Sequence, residues 1–186
     1  MLEHVPAWLG KALRNVRAGH GGLAAARIGG EGTVHTGGFR LQSAAFVDGE
    51  AFDPMFTADE EDAVAPPLEW SAPPAGTRAL ALIVEDPDAP GLEPMVHYLG
   101  WGMEPRAGKL FEGEEPPVMG QNSLLRTDWL PPDPPTGHGK HDYVFQLFAL
   151  DTPLALASGS GRGAFLAEAE GHVLGVALLT ATYERR

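Results

Sequence analysis

The stretch ALALIVEDPDAPG, residues 79–91, changes character halfway along. Residues 79–84 are apolar without a break and end in the branched pair Ile83 and Val84. A short run of this kind, bounded by turn residues, fits a strand buried on both faces. Asp86 and Asp88 then follow, each beside a proline. Pro87 biases Asp86 toward extended backbone, and Pro90 does the same to Ala89. Residues two apart in an extended chain point to one side. Both carboxylates are therefore expected to face one pocket at the end of a sheet, with little conformational entropy left to lose on binding.

Two more runs resemble the first: MVHYLGW (95–101) and YVFQLFAL (143–150), the second rich in aromatic residues. Between them lie the proline-rich loops APPLEWSAPPAG (65–76), EGEEPPVMG (112–120) and LPPDPPTGHGKH (130–141). GAFLAEAEGH (163–172) reads as one short helix stopped by Gly171, and VLGVALLTATY (173–183), with its Val and Thr content, as a strand. Strands spaced by turns predict a mainly β protein, an antiparallel Greek-key-type β-sandwich with a few peripheral helices. The 24 glycines and 17 prolines of this 186-residue chain point the same way, toward many turns rather than a helix bundle.

The first forty residues differ. Leu2, Val5, Leu9, Leu13 and Val16 recur at three- and four-residue steps, predicting an amphipathic helix whose regular part starts near Pro6. GHGG and GGEGTVHTGG follow, so residues 19–38 are expected to be a flexible connection. The expected division is an N-terminal helix and linker over 1–38 and a sandwich domain over 39–186. The helix would cover an apolar patch of its own domain or of a twin subunit in a homodimer, with binding to a membrane surface or another partner as the alternative.

Charge and composition remove several classes of function. The formal charge is −12, split as +3 over residues 1–40 and −15 over the rest. Such a balance gives no general affinity for nucleic acid or an anionic membrane. With no cysteine, there is no disulfide framework, thiolate metal site or cysteine nucleophile. Charges interrupt any signal-like apolar run near the start, and residues 172–183 are too few to span a bilayer at ~20 residues per helix, so a cytoplasmic protein without a transmembrane segment is expected. Gly139-Lys140 lacks the leading glycine and trailing Ser or Thr of a phosphate-binding loop, and GSGRGA (159–164) lacks the third glycine of a dinucleotide fingerprint. Neither a nucleophile elbow nor a zincin His pair occurs.

A dispersed polar set is left. His97 lies mid-strand, nine residues after Asp88, where a hairpin return would bring it back to the acidic corner. His141 and Tyr143 open the next strand on one face, after a stiff proline loop and the bend at Gly137 and Gly139. Two Asp, two His and a Tyr at neighbouring strand ends would line a small polar pocket.

These blocks make the chain resemble the phosphatidylethanolamine-binding proteins, or Raf kinase inhibitor-like proteins, and their bacterial branch in particular. The resemblance rests on FRLQSAAFVDGEAF (39–52), PPLEWSAPPAGTRALALIVEDPDAPG (66–91), MVHYLGW, GQNS (120–123), PPTGHGKHDYVFQLFALD (134–151) and GHVLGVALLTATYER (171–185). It implies an antiparallel sandwich with an anion pocket for phosphate-like groups, including phospholipid head groups. On matching positions the pocket would comprise Asp86, Asp88, Pro90, His97, Asp133, Pro134, Pro135, His141 and Tyr143. The chain departs from the usual pattern at Trp129, Pro131, Asp133 and Asp142, the last standing where an arginine is common.

The resulting expectation is a non-enzymatic binding protein for a small anion or phospholipid head group, with regulation or inhibition of a partner enzyme as the role such a protein would play, and with no cofactor and no metal. One alternative is a hydrolase or lyase, with Asp86 as base and His141 as acid, or with Asp86, Asp88 and His97 around a metal. Another is a dimeric interaction protein with a vestigial pocket. Unless burial dominates, the carboxylates should hold the proton of His97 or His141 to higher pH than in free imidazole, so that anion affinity falls past neutrality.

Overall fold

The computed structural model describes Leu13 and residues 15–185. Two antiparallel sheets carry the fold. The smaller has the order β1 (Leu41–Gln42), β2 (Leu68–Trp70), β5 (Gly108–Leu110). The larger has the order β6 (Val118–Met119), β4 (Met95–Met103), β3 (Ala79–Asp86), β7 (His141–Leu150), β8 (Val173–Tyr183). The three apolar runs and the last stretch are thus strands, and each of the three runs extends past its apolar core.

β3 sits between β4 and β7, and all eight of its residues are buried. Leu80, Leu82 and Val84 join Leu41, Leu68, Trp70 and Leu110 of the small sheet in the inter-sheet core, with Phe52, Phe145 and Leu147. Ala81 and Ile83 belong to a second cluster with Phe148, Phe165 and Ala24, beneath helices α1 (Ala24–Ile28) and α2 (Arg162–Ala169). A strand covered on both faces has no polar side to alternate with, hence the unbroken run. Gly171, with φ of 80°, ends the turn after α2, as its left-handed conformation requires.

Residues 19–38, expected as a flexible connection, instead lie along the outer face of the large sheet. The backbone N–H of Ala24 donates to the Glu85 carboxylate at 2.7 Å and that of Ala25 to Gln146 Oε1 at 2.7 Å. His35 N–H donates to the Val176 carbonyl at 2.8 Å. Glu85 has no exposed surface; Gln146 Nε2 donates to it at 2.7 Å and Arg162 Nε at 2.5 Å. The opening amides of α1, which lack helical acceptors, are thus held by polar side chains of the central strands. The amphipathic helix expected before this segment lies mostly outside the described residues. Its C-terminal part is not helical: residues 16–19 carry no regular structure, and Val16, expected on the apolar face, is 47% exposed.

Substituting Glu85→Ala leaves a buried guanidinium and two amides without their acceptor. Breaking a buried pair from one side costs about 3–5 kcal/mol. Urea denaturation of the variant should show a loss of that order; a loss below about 1 kcal/mol would mean that water replaces the carboxylate at little cost.

Candidate functional site

Asp86 closes β3, and its carboxylate shapes the corner that follows. Oδ1 accepts the backbone N–H groups of Asp88 at 2.8 Å and Ala89 at 2.9 Å. This local turn bends the chain after Pro87, so Asp88 does not continue the extended path expected for it. The two carboxylates consequently engage different partners. Asp86 Oδ2 meets His141 Nδ1 at 2.7 Å, with both side chains almost wholly buried. Asp88 Oδ2 accepts the N–H of Asp142 at 2.7 Å, and its Oδ1 lies 2.5 Å from the Arg17 guanidinium.

His97 reaches the site through an irregularity in β4. Val84 pairs with Tyr98 but Glu85 pairs with Val96, so His97 is an extra residue in the ladder, a β-bulge. The bulge turns His97 and Tyr98 toward the same aromatic group: both pack against Trp129, and the His97 ring stands edge-on to Tyr143 at 5.0 Å between centroids. His97 Nδ1 contacts the Leu130 carbonyl at 2.7 Å, while Leu130 N–H donates to the His97 carbonyl at 2.9 Å. The carbonyl only accepts, so Nδ1 carries the hydrogen and Nε2 presents a lone pair. That Nε2 and the Tyr143 hydroxyl are buried and have no hydrogen-bond partner.

The proline loop adds a residue that the sequence reading passed over. Pro134 and Pro135 are buried, the Pro135 carbonyl accepts the N–H of His138 at 3.0 Å, and Gly137 and Gly139 hold φ of 83° and 102°. This bend buries His138 completely, its Nδ1 2.6 Å from His141 Nε2 and its Nε2 2.8 Å from the Leu13 carbonyl. The chain of contacts runs from the Asp86 carboxylate through His141 and His138 to the Leu13 carbonyl. Both ends are acceptors, so three contacts need three ring hydrogens, and two neutral imidazoles supply two. Burial, opposed by the Leu13 carbonyl, pulls His138 below the usual histidine range. The three contacts thus place one hydrogen between His141 Nδ1 and Asp86, one between the two rings, and one on His138 Nε2 toward the Leu13 carbonyl.

Other charges near the site are also matched. Asp133, one of the implied pocket residues, is tied to Arg185, which also binds Asp59 at 2.8 Å. Asp142 faces His20 at 3.3 Å and Lys140 at 3.9 Å. Burial lowers His97 below the usual histidine range, outweighing the Asp86 charge, which is the exception under which the carboxylates were not expected to raise it. Burial, with the charges of Asp86, Asp133 and Asp88, keeps Tyr143 a neutral phenol.

The site as a whole is closed: Asp86, His97, His138, His141 and Tyr143 are each at most 3% exposed. Pro90 lines a separate surface groove of about 320 Å³, with Pro94, Leu125 and Arg162. A second cavity, of about 280 Å³, lies beside Tyr98, Trp129 and Pro131. Among the described residues no group of three or more His, Asp or Glu is arranged to hold a metal ion, so the Asp86, Asp88 and His97 metal reading finds no geometric support. The structure thus brings together Asp86, His97, His141 and Tyr143, sets Asp88 and Asp133 into flanking ion pairs, and uses Pro134 and Pro135 to shape the loop. Missing from the sequence reading were His138, legible only as the histidine three residues before His141, and Arg17, about seventy residues from its partner.

An antiparallel sandwich with a buried cluster of carboxylate, histidine and tyrosine side chains at the ends of its central strands defines the class. A model of the phosphatidylethanolamine-binding protein family matches residues 42–184, and the chain belongs to that family. A UPF0098 protein of Methanothermobacter thermautotrophicus is 37% identical over 155 residues, covering 78% of this chain and 98% of its own. Another, from Pyrococcus horikoshii, is 34% identical over 152 residues, covering 77% of this chain and 76% of its own. Among solved structures, a phosphatidylethanolamine-binding protein homologue of Chlamydia trachomatis superposes with a TM-score of 0.74 at 31% identity, covering 80% of this chain and 98% of that one. YbcL of E. coli, with a TM-score of 0.73 at 24% identity over 80% of this chain and 99% of that one, shares the fold. No helix among the described residues is long and apolar enough to cross a membrane.

The hydrogen assignment can be read directly. Long-range proton–nitrogen NMR at pH 7 should find His97 protonated at Nδ1 and His138 at Nε2, each facing a backbone carbonyl. A His138 ring whose hydrogen sits on Nδ1 alone would break the chain of contacts.

Proposed function

We propose that the chain is a non-enzymatic binding protein whose pocket takes a small oxyanion that retains one hydrogen, such as hydrogen phosphate or the monoanion of a phosphomonoester head group. The carrying observation is the pair of buried, unpartnered polar atoms, His97 Nε2 and the Tyr143 hydroxyl. Leaving such groups unpaired costs about 1–3 kcal/mol each, which an occupant of matching polarity would recover. His97, neutral through burial, offers a lone pair and Tyr143 a hydrogen. The occupant must therefore donate as well as accept. The nearby carboxylates of Asp86 and Asp88 disfavour full ionisation of the ligand in the same way. Family membership supports this reading through the head group that the family's name carries.

Catalysis is the weaker reading. Both oxygens of Asp86 are engaged, Oδ1 by two backbone amides and Oδ2 by His141, which leaves it poorly placed to take a proton from a substrate. A regulatory role toward a partner enzyme, cytoplasmic residence and homodimer formation through the N-terminal residues belong to the same proposal and rest on sequence pattern alone.

Calorimetric titration at pH 7 should detect phosphate and phosphoethanolamine but not sulfate, which carries no hydrogen there. His97→Ala and Tyr143→Phe should each weaken phosphate binding by about five- to thirtyfold. Equal affinity for sulfate and phosphate would refute the donor requirement. Phosphomonoesters lose their last hydrogen near pH ~6, so phosphoethanolamine affinity should drop by about tenfold per pH unit above neutrality. The cause is the ligand's ionisation, since His97 is neutral throughout that range; an affinity flat from pH 6 to 9 would contradict it.

A further inference from the structure

Leu13 and residues 15–20 lie against the closed site, and their contacts reach both loops that build it. The Leu13 carbonyl accepts from His138 Nε2 at 2.8 Å. The Arg17 guanidinium pairs with Asp88 at 2.5 Å and donates to the carbonyls of Lys140 at 3.1 Å and His138 at 3.4 Å. Backbone N–H groups of Ala18 and Gly19 donate to the carbonyls of Ala89 at 3.3 Å and Pro87 at 2.7 Å. His20 faces Asp142 at 3.3 Å. Leu13, Arg17, Ala18, Gly19 and His20 lie before the stretch matched by the family model, which begins at residue 42.

From this placement we infer that Leu13 and residues 15–20 belong to a strap, intrinsic to this chain, that shuts the site and must leave before a ligand enters. The inference rests on the binding reading above for what the pocket admits, but not for the motion. Two features make the strap releasable. It is held by polar contacts that water can replace, and it buries little apolar surface, with Asn15 and Val16 exposed. Segments with few buried apolar contacts open at a small fraction of the global unfolding free energy. The site beneath is held by strands and stays formed. Arg17 is the main fastener, because its planar fork spans three acceptors on both loops. While the strap is closed the competent fraction is small, and apparent affinity falls by that fraction.

The test uses the full chain and its R17A variant, with two independent readouts. Diethyl pyrocarbonate, which acylates accessible imidazole nitrogens, is mapped by mass spectrometry at His138, with half-exposed His172 as internal standard. Inorganic phosphate is titrated calorimetrically. R17A should raise His138 labelling relative to His172 by about tenfold and tighten phosphate binding by about three- to tenfold, with no change in fold by circular dichroism. Unchanged His138 labelling overturns the strap whatever phosphate does. Faster labelling with unchanged or weaker phosphate binding overturns its competition with ligand. Faster labelling with no phosphate bound by either protein sustains the strap and removes the binding reading instead.

Discussion

One carboxylate, that of Asp86, sets the geometry of the whole site. It accepts two amides of its own turn and one imidazole hydrogen of His141, joining the end of β3 to the start of β7. These strands are neighbours in the sheet, paired from Ala79 with Leu150 to Glu85 with Val144. The sheet fixes the separation of the two strand ends, and the Asp86–His141 pair fixes the orientation of what they carry. A buried charge demands such partners, because an unpaired one would cost several kcal/mol. With Asp86 so occupied, the corner becomes a rigid support rather than a reactive acid.

Around it the charges are locally matched although the chain is strongly acidic. Asp86 is paired with His141, Asp88 with Arg17, Asp133 with Arg185, and Glu85 on the opposite face of the sheet with Arg162. Among the described residues, the buried polar side-chain atoms left without a hydrogen-bond partner are His97 Nε2 and the Tyr143 hydroxyl. Sequence composition pointed to a carboxylate-dominated site, whereas its chemistry turns on which of those carboxylates already have a partner.

Legibility followed the physics of each element. The doubly buried strands β3 and β7 announced themselves as apolar runs, and the Pro-Asp corner and the Gly-His-Gly bend marked the loops that carry site residues. His97 was legible as a residue but not as an orientation. Its place on the pocket side depends on a bulge, and a bulge is a property of two paired strands. His138 was hidden inside the glycine bend, since a loop histidine between two glycines carries no periodicity. The glycine-rich residues 19–38 read as flexible because composition reports local freedom, while Glu85 and Gln146, far away in the chain, supply the acceptors that hold them.

The amino-acid sequence by itself determined that this is a mainly β, cysteine-free acidic chain whose strands end in Asp, His and Tyr side chains stiffened by proline. Those features depend on local periodicity, turn chemistry and charge, all of which act over a few residues. Tertiary structure alone decided which acids would be paired, which partners each histidine nitrogen would meet, and that Leu13 and residues 15–20 would lie against the loops of the site. Each of these depends on desolvation and on partners tens of residues away, and both exist only once the sheets have packed.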